Sequence, residues 1–303
     1  MSKPAAIEPK PQLAAFSSID LWVLFLVTVW GVNFVLIKSA LGEMSALGFN
    51  ALRFGLGTLL MLGLWKTLEG TVRIARADWL AIALLGIVGN TLYQLAFILA
   101  IKLSTASNTS LIVATGPIWI AILSALLRLD RLTWRSWAGI AVSFVGLYLI
   151  ITSGGAIVLG SETLSGDLLM LGGAVAWAVY TVLARPMLRK YSSTTFTTWT
   201  MAIGAPAIFL AGVPDLLRTD FAAVSLQTWL ILLFSATLAI SLGYIIWNSG
   251  VYRLGQARTA IYANLTPVIA LAIGAVLLGE PITPAKIIGA AIVLLGVALT
   301  RRG

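Results

Sequence analysis

Ten times along this chain a run of about 20 mostly apolar residues recurs, the length an α-helix needs to cross a hydrocarbon core roughly 30 Å thick. The runs lie at 19–38, 46–64, 78–99, 104–127, 134–151, 167–186, 194–212, 226–249, 257–278 and 284–299. Lipid offers no water to a backbone N–H or C=O, so a spanning segment that is not part of a closed barrel must be helical. Only 10% of the residues are charged, and a mean hydropathy of +0.99 leaves no polar half to fold in water. The fold class is therefore an all-α polytopic membrane protein of ten transmembrane helices.

Residues 1–18, with Lys3, Pro4, Pro9, Lys10 and Pro11, read as a disordered tail. The apolar run after Asp20 exceeds a signal-peptide core and lacks a small-residue cleavage site after it, so it is read as a permanent helix. With the N-terminus in the cytoplasm, fifteen Lys and Arg fall on inside segments and four (Lys38, Lys102, Arg218, Lys286) on outside ones. That positive-inside bias places both termini in the cytoplasm. It also accounts for the net charge of +9 without a nucleic-acid partner, because the basic residues are scattered among apolar runs instead of forming a stripe.

Sliding the chain by 147 residues, and by 150 past the second span, sets it upon itself. Asp20 falls on Asp167, Trp30 on Trp177, Lys38 on Arg185, Trp79 on Trp229, Pro117 on Pro267, Asp130 on Glu280, Gly139 on Gly289 and Gly146 on Gly296. The organisation read from this is a tail (1–18), a first five-helix repeat (19–152), an external linker (153–166) and a second five-helix repeat (167–303). Five is odd, so the second repeat enters the membrane from the opposite side. Inverted-topology repeats of this kind characterise secondary transporters that hold their site near the midplane.

Polar and aromatic residues within spans either glue helices together or face a cavity. Trp30, Asn33 and Phe34 share one face of the first helix, and their mates Trp177, Tyr180 and Thr181 share that face of the sixth. Asn90, Tyr93, Gln94 and Phe97 form a stripe on the third; Tyr244, Trp247 and Asn248 form one on the eighth. Asn108 on the fourth, with Tyr262 and Asn264 on the ninth, completes the candidate cavity set. Pro117 and Pro267 sit inside spans 4 and 9, where each is expected to kink its helix, as a gate or as a fixed bend. Gly139, Gly146, Gly289 and Gly296 give helices 5 and 10 a small-residue face, expected to serve close packing or a homodimer contact. Trp22, Trp65, Trp79, Trp134, Trp137 and Trp229 near span ends read as interfacial anchors.

Several chemistries are excluded or weakened. Cys and His are absent, which removes disulfides, thiol nucleophiles and His or Cys metal sites. No GxxxxGK[ST] loop is present, no catalytic cluster is grouped at one surface, and no cofactor or metal is called for. All eleven carboxylates fall at span ends or in loops, which weakens direct proton coupling. Arg53, two turns into span 2, is expected to snorkel to the outer surface, leaving the deep lining uncharged.

The Trp30 to Phe34 stretch W-G-x-N-F, the element Ala51-Leu52-Arg53-Phe54, and Gly116-Pro117 and Thr266-Pro267 running on to Asp130 and Glu280 resemble the drug/metabolite transporter superfamily, EamA type, across two copies of its repeat. Within it the chain looks most like the YddG group of aromatic amino-acid exporters. The resemblance implies ten helices and export of small metabolites across the bacterial inner membrane. The second copy reads Trp177-Ala178-Val179-Tyr180-Thr181, departing from the first. The expected function is thus alternating-access export of amphipathic metabolites, with the lipid bilayer and a small solute as partners. The alternatives are a broad channel or facilitator, and a nucleotide-sugar or phosphate exchanger, which an uncharged lining disfavours.

Overall fold

A computed structural model of the protein describes residues 17–104, 112–129, 132–152, 161–278 and 283–302. The tail to residue 16, Asn108, Asp130, Glu280 and most of the predicted linker lie outside the described residues. Ten helical spans follow one another. They are α1 (Ser18–Ala40), α2 (Ala46–Glu69), α3 (Trp79–Gly86, Ile87–Leu92, Tyr93–Leu103), α4 (Gly116–Leu126), α5 (Trp134–Thr152), α6 (Ser161–Leu188), α7 (Ser193–Leu216), α8 (Leu226–Phe234, Ser235–Leu242, Gly243–Leu254), α9 (Gln256–Tyr262, Leu265–Leu278) and α10 (Pro284–Arg302).

Local chemistry sets the ends. Ser45 and Ser192 cap α2 and α7, each hydroxyl accepting the backbone N–H of the residue three ahead. These caps stand in the 147-residue register of the repeat. Two helices outrun their apolar stretches. Thr163 and Asp167 share a hydrogen bond of 3.2 Å in the first turns of α6, and α8 continues to Leu254 before Gly255 ends it at φ 91°, a left-handed conformation that glycine adopts without steric cost.

The inversion is visible in how repeat mates meet. α2 and α7 lie antiparallel: Gly212 near the end of α7 abuts Leu47 at the start of α2, while Trp65 Nε1 near the end of α2 donates to Thr195 Oγ1 at 3.0 Å. α5 and α10 are likewise antiparallel and meet backbone to backbone. A Cβ on Gly139 would lie 2.6 Å from Gly296 O, and one on Gly146 would lie 2.6 Å from Gly289 O. Both small-residue faces are therefore covered by each other inside one chain, which corrects the expectation that they present a dimer contact: an interhelical approach this close leaves no glycine surface outward.

The remaining helices cross between repeats in matched pairs. α1 packs on α8 and α9 of the other half, and α6 packs on α3 and α4. Polar ties fasten both crossings at helix starts: Tyr262 of α9 donates to Asp20 of α1 at 2.5 Å, and Ser104 after α3 donates to Asp167 of α6. α3 and α8 each contain a π-helical turn, at Ile87–Leu92 and Ser235–Leu242, which the apolar pattern does not reveal. Such turns disturb the backbone ladder. Within the second, Ser241 Oγ donates to Ala236 O at 2.7 Å and Trp30 Nε1 reaches across from α1 to Ala239 O at 2.9 Å.

Two measurements test this architecture. Gly146→Val places side-chain atoms where Gly289 O and Val293 already stand, and overpacking of this kind costs about 1–3 kcal/mol. The detergent-solubilised variant is expected to melt clearly below wild type. Gly172→Val, where a Cβ meets nothing within 4 Å, should melt close to it. The second concerns Glu43, in the turn between α1 and α2, which accepts from Ser225 N at 2.8 Å and Ser225 Oγ at 2.9 Å at the start of α8. These bonds, the backbone one foremost, hold its carboxyl below the ordinary 4.5. A folded-state pKa depressed in this way contributes stability above the unfolded value and loses it as pH falls through the folded one. The melting difference between wild type and Glu43→Gln should hold steady near neutrality, shrink as pH falls below 4.5 and vanish at lower pH.

Candidate functional site

The matched crossings leave a cavity of about 390 Å³ at the seam between the repeats. Residues from every span except α7 line it. Of the residues selected from sequence, Trp30, Asn33 and Phe34 of α1, Tyr93 and Gln94 of α3, Trp177 of α6, Tyr244 of α8 and Asn264 of α9 face the cavity, as do Pro117 and Pro267.

Rings dominate its wall. Trp177 stands at a hub, with ring centroids 4.9 Å from Tyr93, 5.4 Å from Tyr180, 5.5 Å from Tyr244, 5.5 Å from Trp247 and 6.3 Å from Trp30. Trp30 and Trp247 lie 5.3 Å apart. Trp30 and Trp177 are repeat mates, so inversion of one duplicated position places a tryptophan on each side of the seam. Contacts of this geometry are worth about 0.5–1.5 kcal/mol each beyond burial, enough to hold the wall rigid.

Four candidates serve elsewhere. Tyr180 and Asn248 are buried behind the wall, where Asn248 Nδ2 donates to Tyr180 Oη and to Thr197 Oγ1, both at 2.9 Å. Tyr262 is turned to Asp20. Asn90 is fully buried where α3 meets α7, against Gly204. Tyr180, Asn248 and Tyr262 thus make polar contacts between helices, while Asn90 packs with its amide unpartnered among the described residues; helical periodicity alone does not separate these from a cavity-lining role because both sides of a helix pair are buried.

The prolines do not kink continuous helices. α9 is broken: Tyr262 ends one piece, and Leu265 starts the next with Pro267 in its first turn, where a missing N–H costs nothing. Pro117 likewise opens the helix that begins at Gly116. Asn264 and Thr266 stand at the break in α9 and line the cavity with Asn33 of α1. Asn33 Oδ1, Asn264 Oδ1 and Thr266 Oγ1 are buried without a hydrogen-bond partner among the described residues.

Arg53 overturns its expectation most sharply. It does not reach the outer surface; its residue is only 3% exposed and lines the cavity. Nε donates to Asn50 Oδ1 at 2.9 Å, one terminal nitrogen to Ser235 Oγ at 3.3 Å and the other to Gln94 Oε1 at 3.0 Å, while Phe49 and Phe54 flank the guanidinium at 6.0 and 5.8 Å. Lys286, counted as an outer-segment charge, is also buried and lines the cavity. Two basic residues therefore stand in a lining expected to be uncharged, and that reason for disfavouring anionic groups falls. Asn50, one turn before Arg53, was the available signal: an amide three residues from a mid-span arginine marks a partnered, inward-facing charge.

Comparison with known proteins follows the same line. A model of the EamA-like transporter family matches residues 17–152 and 164–302. A transporter of uncharacterised function, YyaM of Bacillus subtilis, is 32% identical over 275 residues, 90% of each chain. A probable amino-acid metabolite efflux pump of Salmonella typhimurium is 30% identical over 90% of this chain and 91% of its own. A probable terminal-alkyne amino-acid exporter of Streptantibioticus cattleyicolor is 27% identical over 93% of both. A solved crystal structure superposes with a TM-score of 0.79 at 21% identity, covering 94% of this chain and 99% of that one, which speaks to the fold alone. With two repeats matched end to end and ten apolar spans folded about a seam, the chain belongs to the EamA-like transporter family.

Proposed function

We propose that this protein exports small amphipathic metabolites, foremost aromatic and other apolar amino acids, across the bacterial inner membrane by alternating access. In this reading both termini face the cytoplasm, which the distribution of Lys and Arg supports. The observation that carries it is the ring-lined cavity of about 390 Å³ at the seam of two inverted repeats. That volume falls in the lower part of the range for small-molecule sites. Trp30, Tyr93, Trp177 and Tyr244 offer stacking to an apolar side group. The unpartnered oxygens of Asn33, Asn264 and Thr266 offer acceptors to an ammonium group. Amino-acid export by two of the relatives points the same way.

Rocking of one repeat against the other supplies alternation, with the helix breaks before Pro117 and Pro267 as bending points. Asp20–Tyr262 and Ser104–Asp167, which tie the repeats at opposite faces, would part in turn.

Counterflow in proteoliposomes tests the reading. Labelled phenylalanine should accumulate transiently in vesicles preloaded with unlabelled phenylalanine, a signature that a channel does not give. Combined Trp30→Ala and Trp177→Ala should lower apparent affinity by roughly tenfold or more, the loss of about 1.4 kcal/mol. Tyr180→Phe, which strips the hydroxyl from Asn248 behind the wall, should lower thermal stability by about 1 kcal/mol and leave the order of substrate preference unchanged. Flux that rises linearly with concentration, or that ignores the tryptophan changes, refutes the proposal.

A further inference from the structure

The guanidinium of Arg53 is the most unusual group in the protein. A cation buried at membrane depth is costly and marks a functional site or a partnered charge. All three of its hydrogen-bond partners, Asn50, Ser235 and Gln94, are neutral. They satisfy three of its five N–H donors, so two remain on a group that borders the cavity. Among the described residues no Asp or Glu lines the cavity.

The charge is also asymmetric. The position 147 residues on is Thr200, whose hydroxyl is turned to the carbonyls of Phe196 and Thr197 in its own helix. The repeat mate of Arg53 thus carries no charge and lies on α7, outside the cavity, while the other cation among the lining residues is Lys286 of α10. From Arg53 a short polar chain leads to the rings: Gln94 accepts from the guanidinium and donates to Tyr244 Oη at 3.0 Å, and the Tyr244 ring lies 5.5 Å from Trp177.

We propose that Arg53 is the carboxylate anchor of this cavity, so that the transported compounds are those bearing a carboxylate next to an apolar or aromatic body. This deepens the proposed transport function and rests on it. The two unused donors suit a carboxylate's paired oxygens, and recognition by a guanidinium fork is specific in geometry as well as charge. Asn50, Ser235 and Gln94 fix the plane of the fork in advance. The ring hub then receives the body of the same molecule, because Gln94 and Tyr244 join anchor and hub without a gap. An arriving carboxylate supplies the negative partner that no described cavity-lining residue offers, which makes occupancy depend on that group.

Ligand-induced stabilisation and tryptophan quenching of the purified full chain test the assignment. The probes are L-phenylalanine, 3-phenylpropanoate, octanoate and L-phenylalaninamide; the last keeps ring and amine but has no carboxylate. Wild type should bind phenylalanine and 3-phenylpropanoate at least roughly tenfold more tightly than the amide. Arg53→Gln should erase that gap, and Arg53→Lys, which keeps the charge but loses the fork, should restore part of it. Should Arg53→Gln fail to elute as a folded species, the acid-to-amide ratio of wild type and of Arg53→Lys decides alone.

Equal binding of acid and amide by wild type, or a gap that survives in Arg53→Gln, overturns the anchor while leaving aromatic transport standing. Octanoate bound through Arg53 with no binding of phenylalanine supports the anchor and refutes the amino-acid reading. No binding of any carboxylate overturns the anchor outright.

Discussion

In hydrocarbon a polar group must find its partner within the protein, and that single requirement organises this molecule. Backbone groups meet it by forming helices. Where the helices depart from regularity, side chains take up what is left: Ser241 and Trp30 reach carbonyls in the π-helical turn of α8, and Thr91 Oγ1 beside the turn of α3 reaches Gly204 O at 2.8 Å. Polar side chains meet the requirement in pairs across helices, as Tyr180 and Asn248 do with Thr197. Of the buried side-chain atoms without a partner among the described residues, those of Asn33, Asn264 and Thr266 belong to cavity-lining residues, whereas those of Asn50, Thr58, Asn90, Ser124 and Trp199 do not.

Small residues decide where backbones touch. At α5 and α10 reciprocal glycines bring the main chains together, and at α3 and α7 Gly86 and Gly204 do the same. The crossings of α1 and α6 with the opposite repeat combine large rings with glycines of their own, Gly31 against Thr266 O and Gly166 against the backbone of Leu103, and enclose the cavity.

Duplication supplies symmetry, and substitution then breaks it where chemistry is required. Trp30 and Trp177 keep the symmetric rings, but Asn33 stands opposite Tyr180 and Arg53 opposite Thr200 in the repeat register. At these two positions the first half presents an amide and a guanidinium to the cavity, whereas Tyr180 and Thr200 of the second are tied into packing. An amphipathic molecule placed in such a cavity has a preferred direction, which a fully symmetric one would not impose.

How much of this was legible in the residues depends on the range of the interaction concerned. Span number, the repeat, its odd helix count and the tryptophan pair follow from periodicity and spacing, because hydropathy and register are properties of the chain taken in order. The fates of Asn90, Asn248 and Tyr262, the partners of the glycine faces, the π-helical turns and above all the inward turn of Arg53 were decided only by tertiary structure. A helix buried on several sides presents polar residues to neighbours that are distant in sequence, and which neighbour stands there is set by packing between repeats: Ser235 lies 182 residues from the arginine it holds, and Gln94 lies 41 away.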